Sequence, residues 1–217
     1  ADDLGRLREN IRNRIRRVAE DLGRVCDEVG DKYGIPVVNK RVAVSPVAGF
    51  AAPFSPDGLV EVARTLDEAA AAVNVDFIGG FSALVEKGMA RGDRALISAI
   101  PDAMAETERV CASINVASSR AGINMDAVIR MGEILKRTAA RTADADGIGC
   151  AKLCVFANIP QDVPFMAGAY LGIGEPGAVV NVGVSGPGVV KKAIDRALAA
   201  RPDMDLGQIS ELIKRTA

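Results

Sequence analysis

Apolar residues recur every three or four positions near the start of the chain: Leu4, Leu7, Ile11, Ile15, Val18, Leu22, Val25 and Val29. That period places them on one helix face and predicts a single amphipathic helix closed by Gly30. The other face carries Arg6, Arg8, Arg12, Arg14, Arg16, Arg17 and Arg24 among Glu9, Glu20 and Asp21. Such a face can meet an anionic partner or lie in solvent with local ion pairs, and the interleaved carboxylates favour the second reading. The apolar seam also offers a surface for another subunit.

Beyond Gly30 the pattern becomes one of short apolar runs bounded by Pro, Gly and Asn. Residues 35–44, 74–78, 94–100, 110–116, 151–157 and 178–184 read as strands. Helices are expected between them. One starts at Pro56 with Ser55 as N-cap, one runs from Phe81 after a break at Gly79–Gly80, and one starts at Pro101. Asn124 caps another, with Val128, Met131, Leu135 and Ala139 on its inner face; the last two start at Pro187 and after Pro202. Strands alternating with helices predict an α/β fold with parallel strands and helical crossovers, in one unit over 1–217.

In parallel α/β folds ligands lie beyond the C-terminal ends of the strands. The residues expected there are Gly79, Gly80 and Ser82, then Asn115, Ser118, Ser119 and Arg120, then Asn158, Gln161 and Asp162, then Ser185, Gly186 and Gly188. Arg120 is the natural clamp for an anionic group. The turn from Ser185 to Gly188 precedes a helix start, where backbone N–H groups suit a carboxylate or phosphate, although Pro187 supplies none. The same glycines would equally serve a tight strand-to-helix connection.

Three residues are candidates for chemistry. Asp76 is expected inside a strand, where a carboxylate needs a partner or a task as general base. Glu175, in GIGEPG, is a second candidate base or an exposed turn residue. Cys150, behind Gly147 and Gly149, reads either as a nucleophile activated by Lys152 or as a small buried residue at a strand start, opposite the expected site.

Composition narrows the classes. The chain has 217 residues, 49% of them apolar, and a net charge of −1. That balance gives no global pull toward nucleic acid or an acidic membrane, and the 4% aromatic content with no Trp argues against base-stacking platforms. No apolar run suggests a membrane span and no signal-peptide pattern is visible. The four cysteines lack the spacing of a disulfide scaffold, so reduced thiols in a cytoplasmic protein are expected. With no His in the chain, Ser–His–Asp and Cys–His arrangements and His-ligated metals are excluded within it. The DADGIG stretch lacks the oxygen ligands of a calcium loop, and Cys150 and Cys154 have no second pair for zinc, so no metal site is read and the cofactor is unknown.

The stretches VNKRVAVSP, VDFIGGFSALVEKG, INVASSRAGINMDAV, DGIGCAKLCVFAN and PFMAGAYLGIGEPGAVVNVGVSGPGVVK resemble the uncharacterised PFL family, also termed domain of unknown function seven-one-one. The resemblance spans nearly the whole chain and is to the N-terminal half of a protein about twice as long. Both chain ends read as cuts through a longer product, with a C-terminal half missing. The family implies a fold similar to the pyruvate formate-lyase barrel, in which two five-stranded parallel halves make ten strands and a loop threads the interior. It also implies a homodimer. It does not imply radical chemistry: no glycyl-radical motif is visible, and CAKLC is not the adjacent cysteine pair of the lyase. Leu171 stands where the resemblance implies His in many members, and no established catalytic residue carries over. Two functional readings follow. One is an enzyme acting on a small anionic metabolite, such as a carboxylate or amino-acid derivative. The other is a non-catalytic small-molecule-binding or regulatory protein using the same pocket.

Overall fold

The computed structural model describes residues 3–160, 162–172, 174, 177–183 and 186–216. Internal contacts divide the chain into two compact units, Ala1–Ala178 and Val179–Ala217.

In the first unit the N-terminal amphipathic stretch forms two helices, α1 (Leu4–Ala19) and α2 (Leu22–Tyr33), in place of the single helix expected. Asp3 caps α1 by accepting from the Gly5 and Arg6 amides. Asp21, at the break, pairs with Arg24 and caps nothing. The seam therefore divides: Leu7, Ile11 and Ile15 are buried, while Val25 and Val29 are exposed. The end of α2 is set by Gly34, whose φ of 64° suits a residue without Cβ, and not by Gly30. Ion pairs on the arginine face are local at Arg24, which meets Asp21 and Glu28, and long-range further up the chain. Arg8 meets Glu61 and Arg12 meets Glu68, both on the helix α4 (Pro56–Ala72).

The strand expected over 35–44 shrinks to β1 (Arg41–Ala43). After a one-turn helix, α3 (Val47–Phe50), the Ser55 side chain caps α4 as expected, accepting from the Gly58 amide. The next strand, β2 (Phe77–Leu84), continues through Gly79 and Gly80 with a register irregularity against β3 between Ile78 and Phe81, where a break and a helix were expected. Residues 94–100, expected as strand, belong to α5 (Arg91–Glu106), which also contains Pro101. Leu96, Ile97, Ile100, Ala103 and Met104 are buried at helical spacing, and this packing outweighs the β-propensity of the run. The following strand, β3 (Val110–Ser118), is as expected; it turns back through the two-residue β4 (Gly122–Ile123) into α6 (Met125–Arg141), capped by Asn124. The inner face of α6 is Ala127, Met131, Ile134 and Thr138, one position off the expected set apart from Met131. The one-turn α7 (Ile148–Ala151) then leads into β5 (Leu153–Ala157).

The sheet order is β1-β2-β3, with β5 on β3; these four strands are parallel and only β4 is antiparallel. Strands in sequential order with right-handed crossovers put every connecting helix on one face. Accordingly α1, α4, α5 and α6 form a row in which each touches the next, over Ile78, Phe81, Ala83, Ala112, Ile114 and Val116. The Ile, Phe and Val side chains among these contribute about 1.5–3 kcal/mol each when fully buried, so this interface dominates the stability of the unit.

The other face is covered by irregular chain. Residues 163–172 cross it as a strap: the Leu171 amide donates to the Val44 carbonyl, and the Ser113 hydroxyl donates to the Gly168 carbonyl. A Cβ on Gly79 would lie 2.4 Å from the Ala169 oxygen, and one on Gly80 would lie 2.3 Å from the Val44 oxygen. Glycine is needed at both positions because backbone passes directly over them.

Of the strand expected over 178–184, residues 178–183 have no regular structure and Val184 lies outside the described residues. Two helices follow, α8 (Gly186–Ala200) and α9 (Leu206–Thr216), close to the positions expected.

Candidate functional site

Alternation along the strands separates two sets of side chains. Phe81, Ala83, Ala112 and Ile114 face the helices; Ser82, Ser113 and Asn115 face the strap. The second set is polar and buried. The Ser82 and Ser113 hydroxyls are hydrogen-bonded at 2.7 Å, and Asn115 lies nearest the C-terminal end.

At that end three elements lock together. Directly after β2, the Val85 amide donates to the Asn115 carbonyl, and the Asn124 side chain donates 2.6 Å to the Val85 carbonyl. These bonds present Glu86 to Asn115, whose Nδ2 donates to Glu86 Oε2 at 3.0 Å. Asn115 is only 5% exposed, and its Oδ1 is buried with no hydrogen-bond partner among the described residues. An orphaned buried amide oxygen costs about 1–3 kcal/mol, so the position calls for a donor.

Tyr170 closes the neighbourhood from the strap. It is 3% exposed, its amide donates to the Val163 carbonyl, and its hydroxyl donates to the Pro160 carbonyl at 3.1 Å. Burial raises its pKa, and the charges of Glu86 and Asp162 push in the same direction. Asp93, in the first turn of α5, is likewise raised, chiefly by burial; the Ala90 amide and Arg94 oppose this and Glu86 adds to it. Glu86, on the β2–α5 loop, is thus felt both by Asp93 on α5 and by Tyr170 on the strap.

Of the residues expected at the rim, Ser118, Arg120 and Asn158 are there with Asn115. Ser118 accepts from the Ala121 amide and shapes the turn in which Arg120 is exposed. Asn158, with φ of 59°, accepts from the Ser119 amide and ties the end of β5 to that turn. Gly79, Gly80 and Ser82 lie below the rim, buried under the strap. Asp76 and Cys150 stand at the opposite end of the strands. Asp76 is exposed, lies just outside β2 and accepts from the Lys40 amide at 2.7 Å. Cys150 ends neither at a strand start nor at the rim: it lies in α7, its thiol directed 3.6 Å to the Leu135 carbonyl. Gly186 and Gly188 open α8 in the second unit; Glu175 and Ser185 lie outside the described residues. The sequence reading missed Glu86 and Tyr170. Glu86 fell in a stretch read as helix, and only the strap brings Tyr170 to the rim.

A cavity of ≈470 Å³ opens at the other end of the sheet between Thr107, Glu108, Arg141, Asp144 and Lys152. Lys152 is buried there, with its pKa lowered by burial, and its ammonium donates to the Met104 and Thr107 carbonyls at the end of α5. That is the work of a helix C-cap, and among the described residues no buried unpartnered polar side-chain atom belongs to the lining of this cavity. A second, ≈260 Å³ cleft beside Asp76 and Arg109 lies at the same edge. Among the described residues no cluster of three or more acidic or thiol side chains could hold a metal ion, and no helix is long and apolar enough to cross a membrane.

The family described as Uncharacterised ACR (DUF711) matches residues 1–217. A UPF0210 protein of Syntrophobacter fumaroxidans is 67% identical over 215 residues, covering 99% of this chain and 47% of that protein. UPF0210 proteins of Desulfovibrio desulfuricans and Methanococcoides burtonii are 66% and 58% identical, each over 99% of this chain and 48% and 47% of their own lengths. The chain spans about half the length of these curated relatives, whose names assign no activity. On the full-length match and these identities, the chain belongs to the uncharacterised DUF711 family.

Proposed function

We propose that the C-terminal rim of the parallel sheet binds a small metabolite bearing an anionic group, held by Arg120. The observation that carries this reading is the buried Asn115, whose Oδ1 lacks a donor at the end of the sheet where parallel α/β folds receive ligands. The turn shaped by Ser118 and Asn158 supports it by exposing Arg120 directly after the strand that carries Asn115. Glu86 is the group within reach of such a ligand that could move a proton. Asp76 and Cys150, at the far end of the strands, have no part in this pocket. Non-catalytic binding uses the same contacts, and turnover separates the two readings.

In the longer relatives this unit would act, over the whole of 1–217, as one half of a barrel like that of pyruvate formate-lyase. The strap would be the threading loop, in a cytoplasmic homodimer.

The test is a thermal-shift screen of small carboxylates against the protein and Arg120→Ala. Stabilisation lost in the variant is expected; stabilisation that survives it contradicts the anion clamp. Mass spectrometry of each hit after incubation then reports whether it is converted.

A further inference from the structure

Resting on that reading, we infer that Glu86 and Asn115 form a subsite for a primary ammonium group, so that the ligand class is amino acids and not simple carboxylates. The subsite is built of acceptors. Glu86 Oε2 is taken by the Asn115 amide nitrogen at 3.0 Å, which fixes both side chains and leaves Asn115 Oδ1 buried beside the carboxylate. An ammonium group brings three donors and one positive charge, matching an amide oxygen and a carboxylate together. A ligand carboxylate would need donors there and would face like charge.

Neighbouring groups point the same way. Glu86 is within electrostatic reach of Asp93 on α5 and of Tyr170 on the strap, with Arg94 beside Asp93 as the opposing cation. A cation entering the subsite is attracted by the Glu86 carboxylate; an anion is repelled by it. A metal ion is the other cation to consider, but among the described residues fewer than three acidic or thiol groups converge to hold one. The strap wall is fixed as well. Tyr170 spends its only hydroxyl proton on the Pro160 carbonyl, so it adds no donor to the subsite. Arg120, on the turn after β3, remains for the α-carboxylate, so the two ends of an amino acid have separate and opposite partners.

The test uses matched pairs in thermal-shift and calorimetric titrations of the protein. L-alanine, L-serine, L-aspartate and L-glutamate are set beside propionate, 3-hydroxypropionate, succinate and glutarate, with the N-acetyl amino acids and calcium chloride as further arms. At least one amino acid is expected to bind while its deamino and N-acetyl counterparts bind at least about tenfold more weakly. Glu86→Gln, which keeps the shape of the side chain, should remove that preference. Equal binding of an amino acid and its deamino acid overturns the ammonium subsite and leaves the rim pocket standing. Preference for calcium alone overturns it too. Absence of any response overturns both. The N-acetyl comparison uses the unaltered protein, so it decides the matter even if Glu86→Gln does not fold.

Discussion

Cys111 shows how far a single side chain here is set by its surroundings. It lies on the strap face of β3, and burial pushes its thiol from 9.0 up to about 11, with Lys152 pulling the other way. A folded-state pKa above the unfolded value stabilises the fold fully below pH 9, and the benefit is lost as pH rises through 11. Urea denaturation from pH 8 to 11 should therefore show the native protein losing up to about 2–3 kcal/mol relative to Cys111→Ala. Parallel curves for the two proteins contradict this assignment. Individual residues were legible where local chemistry sets the role: Ser55 and Asn124 cap helices, and Asn115 lies at a strand end. Asp76 illustrates the limit. Its carboxylate invites a catalytic reading in sequence, yet it is exposed and holds the Lys40 amide, a long-range partner that no spacing announces.

Elements were legible in proportion to how local their causes are. β3 and α6 carry their own patterns and ends. β2 does not, because Gly79 and Gly80 look like chain breakers when read alone; they are there to admit Val44 and Ala169, which lie far away in sequence. The first half of α5 reads as strand for a similar reason, since Ile97 and Ile100 favour β structure until packing on β2 and β3 is considered, while its second half reads correctly as helix from Pro101. The strap has no periodicity at all and is visible only through what it touches. Gly79→Ala should lift it, because the new methyl would meet the Ala169 carbonyl. Hydrogen exchange should then speed up at the Leu171 and Tyr170 amides, which bond Val44 and Val163, while α5 amides keep their protection. Unchanged exchange at Leu171 would show that the glycine is not required for the crossing.

Across the molecule, apolar packing under the helix row and charge pairing over it play unequal parts. Arg64 and Arg141 both pair with Glu106, linking α4, α5 and α6, but these side chains are partly exposed and water screens them. Glu106→Gln should leave the urea midpoint nearly unchanged, whereas Phe81→Ala, emptying a fully buried site, should cost about 3–5 kcal/mol. A large loss from Glu106→Gln would reverse that ranking. Parallel strands with helical crossovers were legible from alternation alone, while the rim cluster was not, because Glu86, Asn115 and Tyr170 meet only when three separate segments fold together. The central claim, that ligand lies at this rim, is tested most directly by mapping amide NMR shifts during titration with the amino acid that binds best in the matched panel. The account predicts the largest changes at Glu86, Asn115, Arg120 and Asn158; changes centred instead on Thr107, Asp144 and Lys152, around the cavity at the far end of the strands, would contradict it.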